Sequence, residues 1–256
     1  MKKLLALTLL IWPAFNAGAQ LPDPFQIMSD CRDMSLAGSM TATVNLRITE
    51  KNGSVRDRTL SLSTKTYPGN MEKRYIRFLA PADVRGTALL ITDNRETEDE
   101  MWIYLPALKR KRRIVASDKG KSFMSSEFSN ADMSSPPLND FRYNHAKGSG
   151  EGDEWIITGI PVSEDKADEY GYSKKISYIE KSSMQIRKIE FYNFDNELYK
   201  VIEIRKVYPL KEGGYIVSDM SADNIKTGRK SEIVFSKIST GAMVDDGLFT
   251  IQNLDR

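Results

Sequence analysis

Residues 39–62 read SMTATVNLRITEKNGSVRDRTLSL, and the fold class follows from their spacing. Met40, Ala42, Val44, Leu46 and Ile48 alternate with Thr41, Thr43, Asn45, Arg47 and Thr49. Successive side chains of a strand point to opposite faces, so this period of two predicts a strand with one apolar and one wet face. Asn52-Gly53 follows at once. That dipeptide tolerates the positive φ angles of a tight hairpin, and a strand returning through Leu60 and Leu62 is expected.

The same grammar extends outward. Strands are expected over 73–79, 87–92, 101–105, 111–115, 154–158, 174–180, 185–192, 197–207, 215–222 and 231–238. Turn signals such as Pro68-Gly69-Asn70, Asp195-Asn196 and Gly213-Gly214 punctuate them. Short turns in place of crossover helices imply an antiparallel sheet ordered mostly as a meander. About eleven or twelve strands are too many for a flat open sheet. The expectation is a mainly β fold, a strongly curved sheet or unclosed β-barrel with its apolar face turned inward. Asp23-Pro24 caps a short amphipathic helix carrying Phe25, Ile27, Met28 and Cys31. Residues 122–140, with Phe123, Met124, Phe128, Met133 and Pro136-Pro137, break the pattern. They are expected to lie as a loop with a little helix across the open side, with Phe123, Met124 and Phe128 as its apolar contacts.

At the N-terminus, Lys2 and Lys3 precede the apolar run Leu4 to Trp12 and the small triplet Ala17-Gly18-Ala19. These are the three regions of a secretory signal, with cleavage expected after Ala19 and a single β domain over residues 20–256. The run is too short for a resident membrane helix. Lipidation of the mature end would need a cysteine at the cleavage point, and Cys31 lies beyond it. Removing residues 1–19 leaves 35 basic against 35 acidic side chains, a balance that argues against a general nucleic-acid binder. One cysteine forms no internal disulfide, so stability must come from the core.

Little in the chain points to catalysis. His145 is the single histidine, which leaves histidine-dependent catalysis and most zinc sites unsupported. Gly120-Lys121-Ser122 resembles the end of a phosphate-binding loop but lacks the upstream glycine, since position 115 is Val115. No catalytic residue, metal or cofactor is expected. The acidic residues Asp93, Glu96, Glu98, Asp99 and Glu100 read as a solvated turn. Lys109, Arg110, Lys111, Arg112 and Arg113 form the densest charge feature. They read either as a solubilising strand edge or as a docking patch for anionic headgroups or an acidic partner. Val44, Leu46, Ile48, Ile76, Phe78, Leu89 and Ile91 are assigned to an apolar cavity that holds an acyl chain; alternation fixes which residues share a face but not which face of each strand points inward. It leaves open which of Trp102 and Tyr104, or Ile103 and Leu105, turn inward; Trp102 and Tyr104 are assigned to the interior cavity.

Residues 78–90 (FLAPADVRGTALL), 101–110 (MWIYLPALKR) and Arg112-Arg113-Ile114 resemble the outer-membrane lipoprotein-sorting protein family, relatives of the LolA and LolB carriers. Phe123-Met124-Ser125-Ser126-Glu127-Phe128-Ser129 and Asp132 continue the likeness. The family more often has glycine and aspartate where this chain has Ser125 and Glu127. Weaker likenesses run through 155–161, 188–192 and 246–254. The resemblance implies an unclosed β-barrel with a lid over an apolar cavity, a periplasmic location, and association with inner-membrane RND-type transporters. The function so implied is a non-enzymatic, monomeric carrier for acyl chains of a lipoprotein or lipid, touching membrane surfaces transiently. A sensor module that uses the same cavity to regulate a partner is the alternative.

Overall fold

The alternating stretch folds as a hairpin of β1 (Ser39–Thr49) and β2 (Val55–Tyr67), in register from Ser39 opposite Lys65 to Thr49 opposite Val55. The computed structural model describes residues 21–211 and 213–255, so the signal-peptide reading of residues 1–19 lies outside the described residues. β3 (Met71–Ala80), β4 (Ala88–Asp93), β5 (Glu100–Leu105) and β6 (Arg110–Arg113) add in sequence beyond β2. A second meander comprises β7 (Phe141–His145), β8 (Glu154–Pro161), β9 (Lys174–Glu180), β10 (Gln185–Tyr192), β11 (Leu198–Pro209), β12 (Tyr215–Asn224) and β13 (Arg229–Thr240). β13 pairs antiparallel with β1, which joins the two meanders into one sheet of 13 strands with β6 and β7 at its edges.

The sheet is therefore antiparallel and unclosed, as expected, with 13 strands where the sequence predicts about eleven or twelve. β7 is the strand that the periodicity did not reveal. Its sequence, FRYNH, is short and mostly polar, and Phe141 is its one fully buried residue.

Among the described residues, three α-helices decorate the sheet. α1 (Pro24–Met34) begins where Asp23 accepts a hydrogen bond from the Phe25 N–H, and it packs Ile27, Met28 and Cys31 against Ile157 and Ile179. Cys31 is buried and unbridged, and burial pushes its thiol up to about 12, so it behaves as a small apolar side chain. α2 (Ala116–Lys119) and α3 (Glu164–Tyr170) meet at Gly120, where a Cβ would come 3.0 Å from the backbone of Tyr170 and Gly171. A buried Lys119–Glu169 ion pair at 2.5 Å ties them. Among the described residues no helix is long and apolar enough to cross a membrane.

The main core lies on the concave face, where Leu46, Ile48, Phe78, Leu89, Ile91, Met101 and Ile103 pack with Phe123 and Phe128 of the 122–140 segment. Behind β3–β5, the C-terminal residues Phe249 and Leu254 cover Tyr75, Ala88 and Leu90. β4 thus has apolar neighbours on both faces.

Candidate functional site

Where β1–β3 and β10–β13 curve toward one another, their inward residues do not meet. They leave a cavity of about 420 Å³, a size typical of small-molecule sites. Val44, Leu46, Leu60, Leu62 and Ile76 form one wall, and Ile189, Ile202, Ile204, Ile233 and Phe235 the other. Met28 and Cys31 of α1 close one side, while Phe123, Phe128, Ala131 and Met133 of the 122–140 segment roof it. The walls are apolar because each strand alternates, and the branched side chains fit the pleat but are too short to span the curve.

The roof is a series of short 3₁₀ turns at Phe123–Ser125, Ala131–Met133 and Leu138–Asp140. Cations from the sheet hold it. Arg58 donates to the Met124 carbonyl, and Arg229 donates to the Ser125 carbonyl at 2.9 Å and pairs with Glu127 at 2.8 Å. Arg74 donates to the Met133 carbonyl at 2.9 Å and to Ser135 Oγ at 3.0 Å. Lys200 pairs with Asp132 at 2.7 Å. Ser125 stands at φ +62°, so the left-handed turn that glycine takes most easily persists without one, at a cost of about 1–2 kcal/mol. Glu127, in place of the shorter aspartate, reaches both Arg229 and the Asn224 amide.

The predicted cavity residues divide into three groups. Val44, Leu46 and Ile76 line the cavity, as do Phe123 and Phe128 of the roof, while Met124 packs beside it with its φ at +49°. Ile48, Phe78, Leu89 and Ile91 are inward and wholly buried, but they belong to the solid core under β3–β5 and not to the cavity. Trp102 and Tyr104 point the other way, against Phe249 and Leu254, and Met101 and Ile103 hold the inner face. The assignment of Trp102 and Tyr104 to the cavity is corrected accordingly. Both faces of β5 are apolar in sequence, and the C-terminal segment gives its outer face an apolar cover of its own.

The charge readings also change. Asp93 and Asp99 are buried, not solvated, and of the acidic residues in that turn only Glu96, Glu98 and Glu100 are exposed. Arg74 lies 2.7 Å from Glu72 and 2.8 Å from Asp93, and burial followed by repulsion from Asp93 pushes the Asp99 carboxyl up to about 8. Glu72, Arg74 and Arg32 give the apolar cavity one charged end. Farther along, Lys175 enters it from β9. Sequence reasoning passed over these polar residues, because an inward lysine or arginine looks the same as an outward one on a half-wet strand.

Of the basic run, Arg110–Arg113 form edge strand β6, and Lys109 precedes it in a left-handed conformation. Lys111 pairs with Asp255 and Arg112 with Asp118, while Arg113 lies 3.9 Å from Glu100. Lys109 and Arg110 are exposed and have no ion-pair partner among the described residues. His145 is bound to Ser149 Oγ and to the Pro22 carbonyl, both at 2.7 Å, a structural arrangement with no carboxylate behind it.

A family model described as an uncharacterized protein matches residues 70–256. A domain from Vibrio parahaemolyticus, described as a candidate outer membrane lipoprotein-sorting protein domain, superposes with a TM-score of 0.82 at 26% identity, covering 91% of this chain and 98% of that one. A DUF1329 family protein from Desulfovibrio piger gives 0.81 at 24% identity, over 91% and 100% of the two chains. A LolA superfamily protein from Nitrosomonas europaea gives 0.68 at 16% identity, over 90% and 98%. No curated protein matches.

Proposed function

We propose, on the premise that this chain belongs to the family matched over residues 70–256 and has a LolA superfamily fold, that it is a periplasmic carrier binding the acyl chains of a lipoprotein or lipid. The observation that carries this reading is the apolar cavity beneath the 122–140 segment. The lipoprotein-sorting description of the Vibrio parahaemolyticus domain supports it.

The physical demand on such a carrier is plain. Each buried CH₂ is worth about 0.8 kcal/mol, so a sixteen-carbon chain carries on the order of 12 kcal/mol and crosses water slowly unless sheltered. An apolar cavity supplies the shelter, and no bond need be made or broken. Release requires that the roof give way, and its attachments to Arg58, Arg74, Lys200 and Arg229 are polar contacts that water can replace as it opens. The exposed pair Lys109 and Arg110 at the β6 edge would meet anionic headgroups at either membrane. The resemblance of residues 78–114 supports an RND-type inner-membrane transporter as the partner, with the carrier acting as a monomer.

Transfer of a fluorescent fatty acid from donor to acceptor vesicles tests the reading. The protein should accelerate transfer in proportion to its concentration; no uptake and no acceleration would overturn the carrier role.

A further inference from the structure

One transverse row of the second meander is unusually basic. Cross-strand pairing places Tyr143, Gly159, Lys175, Phe191, Lys200, Asn224 and Arg229 side by side on β7 through β13. Three of these are cations facing the interior. The 122–140 segment supplies a carboxylate to two of them, Asp132 to Lys200 at 2.7 Å and Glu127 to Arg229 at 2.8 Å. Lys175 receives none. It has neither an ion-pair partner nor a hydrogen-bond acceptor among the described residues, and its Nζ sits 4.3 Å from the centre of the Phe141 ring.

The surroundings are arranged for this side chain. Gly159 lies directly opposite Lys175, and a Cβ there would stand 3.5 Å from the lysine stem and 3.1 Å from the Tyr143 ring, so glycine makes the slot in which the stem runs. The stem therefore enters the cavity between rings, and the ammonium ends at an apolar wall. A half-buried ammonium that meets only the face of the Phe141 ring and no carboxylate is poorly compensated, and desolvation, opposed by Asp132, lowers its pKa to about 8. An anion arriving with a ligand would relieve that cost.

We propose that the cavity takes amphiphiles with an anionic head, a single acyl chain ending in a carboxylate or phosphate, and that Lys175 binds the head while the branched walls bind the chain. This rests on the acyl-carrier reading and narrows it, since the ester- and amide-linked chains of a lipoprotein anchor bear no anion at that point.

The test uses Nile red, an uncharged dye, bound to the purified protein at pH 7 and displaced by laurate, dodecyl phosphate or dodecanol, with wild type and Lys175→Met compared. Laurate or dodecyl phosphate should compete at concentrations at least about tenfold lower than dodecanol in the wild type, the scale of one hydrogen bond to a charged group. In Lys175→Met the difference should vanish while dodecanol competes as before. A preference for laurate alone indicates a fatty-acid head, and for dodecyl phosphate alone a phosphorylated one. Equal competition by all three in the wild type, which needs no variant, overturns the proposal, and so does an anion preference that survives in a folded Lys175→Met protein. Failure of every compound to displace the dye would instead count against the carrier reading itself.

Discussion

Lys200 of β11 places its Nζ 2.7 Å from Oδ2 of Asp132 in the roof, with both side chains more than nine-tenths buried. The same carboxylate accepts the Ser129 N–H at 2.7 Å, so one ion pair joins the sheet to the local turn of the segment above it. Removing one partner of a buried pair strands the other charge. Lys200→Met should therefore cost about 3–5 kcal/mol in urea unfolding, and adding Asp132→Asn should recover much of it. Hydrogen exchange should quicken over 122–140 before it does in β1 or β13.

A second prediction separates cavity from core. Val44 borders empty space, whereas Leu89 is wholly enclosed by side chains. Val44→Asp should abolish fatty-acid uptake in a protein that still shows cooperative melting. Leu89→Asp should fail to fold, and Phe78→Ala should cost about 3–5 kcal/mol, because each alters packed core and not the cavity wall.

The pH dependence follows from Lys175. Burial holds its pKa below the ordinary lysine value, at about 8, while Asp132 opposes that fall and Lys200 adds to it, with the Tyr143 and Tyr172 rings close by. Between pH 8 and the ordinary lysine value the unfolded chain binds more protons than the folded one. The contribution of this group to stability therefore rises with pH across that window and is smallest below it. Lys175→Met should accordingly melt higher than wild type at pH 7, by about 1–3 kcal/mol of stability. Laurate affinity should fall from pH 7 to pH 9 in wild type and stay level in the variant, measured by the same dye displacement.

The β6 edge gives a prediction at the surface. Lys109→Glu with Arg110→Glu should weaken binding to phosphatidylserine vesicles, each cation being worth about 1 kcal/mol near a charged membrane, and added salt should erase the difference. Melting should be unchanged, since neither residue has an ion-pair partner among the described residues to lose.

Much of this architecture is legible in the residues. The strict alternation of Met40 to Ile48 and the Asn52-Gly53 turn predict β1 and β2, and Asp23-Pro24 predicts the start of α1. β7 escapes notice because FRYNH is only five residues long and carries no aliphatic side chain, so its alternation of Phe141, Tyr143 and His145 with Arg142 and Asn144 is a weak signal; it forms a strand through pairing with β8. The face of β5 is equally hidden. Trp102 and Ile103 are both apolar, and what decides between them is the C-terminal segment, nearly 150 residues away in sequence, lying on the outer side. The charged part of the site is the least legible, because Arg74, Lys175 and Lys200 look like ordinary wet-face residues until cross-strand register shows them sharing the interior with Asp93 and Asp132.

In the proposed carrier, the cavity between β1–β3 and β10–β13 holds an acyl chain. Native mass spectrometry of the protein isolated from the periplasm tests it most directly. A population heavier by the mass of an amphiphile, lost in Val44→Asp, is the predicted result; a bare polypeptide mass, still bare after incubation with laurate, would contradict it.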